Sequence, residues 1–327
     1  MKVIKFFAIT AMAAAMITSC SNEDELSQSN YPSDNIIRVT AGVNNAKTRA
    51  EGAGTPLEQP LSLTVVNKNA PKYTYVDKLF SKTSGDWACS ETLLWQKSDA
   101  LVDIVAFAPA QTGKFNGVYA NGSIQPIAYS VAKDQTTADD KNDLLYYYAK
   151  DFNPGESLDK GKLKIQFNHA FCMIDINVTL GTEFNKPEVL KESPIVKVTL
   201  GGTKIAANVN VTNAASVVTI SETDAATDIT TTKGSFDKAA DPEANAKSHF
   251  SCIAIPQTVG ANTFKVSLKT AGKLYEWTSD KEITLQSGYR YTLNLSMGND
   301  VVLLKGGSIS ASPWTEGDTG DKPLETD

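Results

Sequence analysis

The chain has 327 residues, enough for two domains of ordinary size, and 41% hydrophobic with 21% charged residues is a globular rather than a disordered composition. A net charge of −6 with no Lys/Arg-rich run excludes the basic surface that a nucleic-acid partner requires. Two histidines leave little material for metal centres or acid–base chemistry, and only three basic residues are arginines: Arg38, Arg49 and Arg290.

The N-terminus has targeting anatomy. Lys2 and Lys5 precede an apolar run from Phe6 to Ile17, which is shorter than the roughly 20 residues needed to span a bilayer. The run ends at Ile17-Thr18-Ser19-Cys20, which resembles a bacterial lipobox, with Cys20 as the acylated first residue of the mature protein. Acyl chains at about 0.8 kcal/mol per buried CH₂ hold a protein on a membrane. The alternative is an ordinary cleaved signal with an incidental cysteine. Ser21-Asn22-Glu23-Asp24-Glu25 resembles the surface-export signal of Bacteroidetes lipoproteins. Residues 1–19 are thus expected to be a signal peptide and 20–35 a polar tether to the outer membrane.

From Ile36 onward the apolar pattern has period two, the signature of half-buried strands. Ile37, Val39, Ala41 and Val43 share one face of the first strand, and Ile36 adds apolar surface. "NNAKTRAEGAGTP" (44–56) follows, small and polar with two glycines. Exposed segments of this kind are where proteases cut. A trypsin-like enzyme would find Arg49-Ala50 there, whereas Arg38 and Arg290 lie in strand patterns that should protect them. An ordinary loop arginine is the competing reading.

Leu101 to Ala108 is apolar except for Asp103 and of strand length, so it is expected to be buried on both faces. "LKIQFNHAFCMIDINVTL" (163–180) places apolar residues at odd positions up to Phe167 and at even positions from Cys172. A strand cannot change faces without an irregularity, so a bulge or break is predicted near His169-Ala170. The polar segment 181–193, with two prolines nearby, is the expected linker between β-sandwich domains at 36–180 and 194–314. "TLGGTKI" (199–205) reads as a hairpin around Gly201-Gly202. The Thr/Ala/Asp-rich stretch 221–247 reads as a mobile surface excursion. Residues 315–327 form an acidic tail. The class is all-β, a sandwich.

Chemistry is thinly represented. His169-x-x-Cys172 and His249-x-x-Cys252 have ligand-like spacing, but positions i and i+3 of a strand face opposite ways. Cys172 and Cys252 read as small buried hydrophobes. Cys89 completes an odd set, and pairing is undecided. No nucleophile elbow, zincin, P-loop or dinucleotide motif occurs. No enzyme activity and no cofactor or metal are expected. Tyr146-Tyr147-Tyr148 with Trp87, Trp95, Trp277 and Trp314 could form a sugar-stacking platform, but inward packing of strand tyrosines is the simpler reading.

Taken together, the lipobox with its acidic run, "KTRA", "NDLLYYYA" (142–149), "IQFNHAFCMIDINVTL" (165–180), "IAIPQTVGANTFKVSLK" (253–269), "LYEWTSDKEITLQSGYRYTLNLSM" (274–297) and "ISASPWTEG" (309–317) resemble the fimbrillin (Mfa-like) family, the type V pilus subunits of Bacteroidales. That resemblance implies two transthyretin-like β-sandwich domains in tandem and export as a lipoprotein. It also implies cutting after the arginine matching Arg49 by an Arg-specific protease, and loss of the first strand. A neighbouring subunit's strand then fills the groove. The matching donor here is "VVLLKGGSISASPW" (301–314), with Val301, Val302, Leu303, Leu304 and Ile309 as its apolar residues. Pro313 cannot donate to a ladder and must sit at an edge or end. The expected partners are other pilus subunits, the protease, membrane lipid through Cys20, and a surface receptor. The rival reading is a surface glycan-binding lipoprotein of a polysaccharide-uptake system.

Overall fold

A computed structural model describes residues 30–44, 55–221, 223–304 and 309–314. Cys20, Arg49, Ala50, the signal peptide and the acidic tail lie outside them. The chain is almost entirely β.

The first half supplies β1 (Val39–Val43), β2 (Thr55–Pro56), β3 (Leu61–Val66), β4 (Tyr75–Thr83), β5 (Asp86–Cys89), β6 (Val102–Ala108), β7 (Leu145–Phe152) and β8 (Leu163–His169). They form one sheet in the order β2-β1-β8-β7-β6-β3-β4-β5. The sheet curls, so that β1 meets β5 and Lys162 pairs with Asp86 across the gap. Its concave face holds Leu61, Leu63, Ile104, Leu163, Ile165 and Phe167 as one core.

The second half supplies β9 (Cys172–Leu180), β10 (Ile195–Gly201), β11 (Ile229–Thr230), β12 (Thr232–Asp237), β13 (Lys247–Ala254), β14 (Lys265–Thr270), β15 (Leu274–Thr278), β16 (Tyr289–Met297), β17 (Val302–Leu304) and β18 (Ser310–Pro313). One sheet runs β12-β13-β9-β16-β17, with β18 also on β16, and a second runs β11-β10-β14-β15. Between them lies a second core, with Ile174 and Leu293 from one sheet and Leu200 and Val266 from the other.

β6 explains why its sequence does not alternate. Ile104, Ala106 and Ala108 enter the first core, whereas Val105 and Phe107 enter the second. The strand is a shared wall, so both its faces exclude water.

The parity change near His169 is a break. β8 ends at His169, and β9 begins at Cys172 in a different sheet. Sheet membership therefore changes at Ala170-Phe171, ahead of the polar 181–193 segment.

Three expectations are corrected. The Gly201-Gly202 hairpin does not form. β10 already has β11 and β14 on its two edges, and the next strand, Ala206–Val209, pairs with Ile127–Ser130. Gly202 is required for another reason: its φ is +86°, and a Cβ would stand 2.2 Å from the Thr263 carbonyl oxygen. The 221–247 stretch is not a free excursion. It contributes β11 and β12, and it buries Ile229, Ala239 and Ala246. Its threonines suit edge strands that cover β10 and β13. Arg38 is not sheltered in a strand. It precedes β1, 43% exposed along its side chain, gripped by Asp34 at 2.6 and 2.9 Å.

Candidate assembly surfaces

The alternation at 37–43 builds the first surface. Ile37, Val39 and Val43 are buried, Arg38 and Thr40 are exposed, and Ala41 is half-buried. β1 lies parallel to β8, with Val39 opposite Leu163 and Val43 opposite Phe167. Its lead-in crosses to the other side of the core. The Ile37 amide donates to the Leu93 carbonyl at 2.8 Å, and the Trp95 amide to the Asn35 carbonyl at 2.8 Å. Tyr31, within the expected tether, already packs against this core. The Arg38 guanidinium and the Ile36 amide hold the Asp34 carboxyl down to about 2, which fixes the turn entering the strand. On its other side β1 pairs with the two residues of β2, and the Leu57 amide donates to the Ala41 carbonyl at 3.4 Å.

β1 thus fills a groove bordered by Leu163, Ile165 and Phe167 of β8. Three buried aliphatic side chains are each worth about 1.5–3 kcal/mol.

The C-terminal segment builds the second surface. β17 pairs with Leu295–Met297, and β18 pairs with Tyr289–Thr292, both antiparallel on the same edge of β16. Two short ladders thus close that edge within the chain. Val302 is buried, but Val301 and Leu303 are 50% and 58% exposed. Ile309 packs against the second core. Pro313 sits opposite Tyr289 at the end of its ladder, where no amide is needed.

Trp314 follows and turns inward. Its amide donates to the Gly288 carbonyl at 2.7 Å, and its indole stacks on His169 at 3.8 Å and 14° between planes. Both carboxylate oxygens of Asp143 lie 3.0 Å from His169 Nδ1 and set the imidazole's orientation. The residues of this seat are far apart in the chain, and no local pattern signals it.

A cavity of about 530 Å³ opens beside the seat. Val43, Leu145, Met173 and Trp314 are among its apolar walls, with Asp139 and Asp143 at its polar side.

The chemistry-bearing residues do not converge. No group of three His, Cys, Asp or Glu side chains is placed for a metal among the described residues. His249 bonds Asn177 at 2.8 Å and Asp237 at 2.9 Å, and Cys252 faces the opposite side of the same strand, buried. Cys172 donates to the Ala254 carbonyl at 3.2 Å. Burial pushes both thiols far above their ordinary range. Cys89, Cys172 and Cys252 are free. None of the seven aromatics considered for a sugar platform is exposed: Trp95 and Trp314 are buried, and the other five are half-buried.

A sequence profile of fimbrillin-like proteins matches residues 37–314, from the buried Ile37 to the seated Trp314. The chain belongs to the fimbrillin-like family. No curated protein sequence matches it. Among solved structures, this fimbrillin-like chain is similar to a candidate cell adhesion protein of Bacteroides ovatus at 17% identity and a TM-score of 0.61, covering 85% of this chain and 97% of that one. A fimbrial protein of Bacteroides vulgatus follows at 15% identity and 0.52, covering 85% and 99%. The tip fimbrial protein Mfa3 of Porphyromonas gingivalis, with a C-terminal truncation, follows at 10% and 0.50, covering 85% and 99%. At these identities the likeness is one of fold. Family membership places the chain among structural fimbrial and adhesion subunits of the cell surface, whose partners are other subunits.

Proposed function

We propose that this fimbrillin-like chain is a pilus or adhesin subunit, exported as a lipoprotein acylated at Cys20 and built of two transthyretin-like β-sandwich domains. An Arg-specific protease cuts between Arg49 and Ala50. The cut releases Ile37, Val39, Ala41 and Val43 with the lipidated end. A neighbouring subunit's C-terminal segment, carrying Val301, Val302, Leu303, Leu304 and Ile309, fills the vacated groove by strand addition.

The observation that carries this reading is the way β1 is held. Once the chain is cut after Arg49, only non-covalent contacts retain the strand, parallel to β8 and bordered by the two-residue β2. Its loss leaves an open strand edge over an apolar floor, which is a template for another chain. The C-terminal segment has matching properties: it is an edge strand with two large apolar side chains turned to water.

The test is trace Arg-specific protease added to the purified full-length protein. The expected result is a new N-terminus at Ala50, a folded remainder, and a ladder of SDS-resistant oligomers. Complete cleavage that leaves only monomer overturns the assembly reading.

A further inference from the structure

The end of β1 and the end of the C-terminal segment meet on three consecutive residues of β8. The Asn44 amide donates to the Phe167 carbonyl at 2.8 Å, and Asn44 Nδ2 donates to Asn168 Oδ1 at 2.8 Å. The next residue, His169, is the platform for Trp314. Val43 and Trp314 wall the same cavity. Trp314 is 6% exposed, so its indole is a buried anchor at the end of a ladder only four residues long.

We infer that the Trp314 seat is a latch whose hold depends on β1. While β1 is in place, its last bonds steady Phe167 and Asn168, and these steady the imidazole under the indole. When β1 leaves, the Val43 wall and both Asn44 bonds go with it. The rim of β8 then loosens, and residues 309–314 peel from Tyr289–Thr292 first. The inference rests on the proposed function in one respect: the same event that opens the acceptor groove frees residues 309–314, the last part of the donor, while β17 stays paired with Leu295–Met297. An uncut subunit therefore keeps its donor parked, which prevents assembly before export is complete.

The physical basis is local. Short edge ladders open far more readily than central ones, and their protection is set by the few contacts that pin them. β18 has one edge paired, no central position, and Trp314 as its buried pin. β17 has no such dependence, since Val302 packs on the second core away from β8.

Hydrogen exchange on dilute full-length protein tests this before any assembly. Trp314→Ala should speed exchange in 309–314 by about tenfold or more, with Leu293–Met297 unchanged. Trp314→Phe, which can still stack, should retain most of the protection. Asn44→Ala, at an exposed position, should speed the same segment without touching the indole. Freshly cut monomer should show the Trp314→Ala pattern. Unchanged exchange in 309–314 after cutting overturns the latch, and so does a rise spread evenly over the whole chain. Faster exchange with no ladders supports the latch and counts against assembly. Ladders with unchanged exchange do the reverse.

Discussion

Val43 lies in register opposite Phe167, on strands that run in the same direction. A parallel neighbour cannot be a hairpin partner, so β1 rests along its full length on the far part of its own half and pairs with the chain beside it over the short β2. This makes the strand separable, and it makes its inward side chains the test of how tightly it is held. Val39→Ala should lower stability by about 1–3 kcal/mol, by lost transfer and the cavity left behind. Thr40→Ala, facing water, should stay within about 0.5 kcal/mol. Urea unfolding midpoints at constant slope separate the two.

Gln135 ties the halves together. Its Nε2 donates to the Ile253 carbonyl at 2.9 Å and the Ala132 carbonyl at 3.0 Å, and its Oε1 accepts from the Ile253 amide at 2.8 Å. Gln135→Ala leaves a buried amide and carbonyl unpaired and should destabilise by about 1–3 kcal/mol. Gln135→Glu keeps the acceptor but loses the donor, and should be no milder. Thermal and urea unfolding would measure both.

Tyr129 should titrate late. Its hydroxyl donates to the Lys141 carbonyl at 2.6 Å and accepts from Gln111 Nε2 at 2.7 Å, and burial pushes its pKa from 10.0 up to about 12. A phenol raised in the folded state contributes stability that is complete below its unfolded value. That contribution is lost as pH rises from 10.0 toward about 12. Phenolate absorbance should show a late step that Tyr129→Phe removes.

Cysteine accessibility should divide sharply. Cys89 is half-buried and free, whereas Cys172 and Cys252 are fully enclosed, with thiols held protonated by burial. An alkylating reagent at neutral pH should modify Cys89 in the native protein, and Cys172 and Cys252 only in denaturant. Mapping the adducts by mass spectrometry checks this. Native alkylation of Cys252 at a rate near that of Cys89 would contradict its placement.

Several features were legible because they depend on one strand and water. The alternation at 37–43, the largely apolar run through β6 and the parity change near His169 each follow from which faces are wet. The hairpin at Gly201-Gly202 was misread because turn chemistry is local, whereas pairing depends on which edges are already taken. The 221–247 stretch was misread because low complexity says nothing about an uncovered strand elsewhere that needs a neighbour.

By itself the sequence determined the strand content, the faces of β1, the double burial of β6 and the order of segments that marks the family. Period-two burial and steric limits are short-range, so one chain segment carries them. Only the tertiary structure decided that β1 runs parallel to β8, that the C-terminal segment folds back onto β16, and that Trp314 rests on His169. Those are meetings of distant segments, chosen by competition for edges and for space in a shared core.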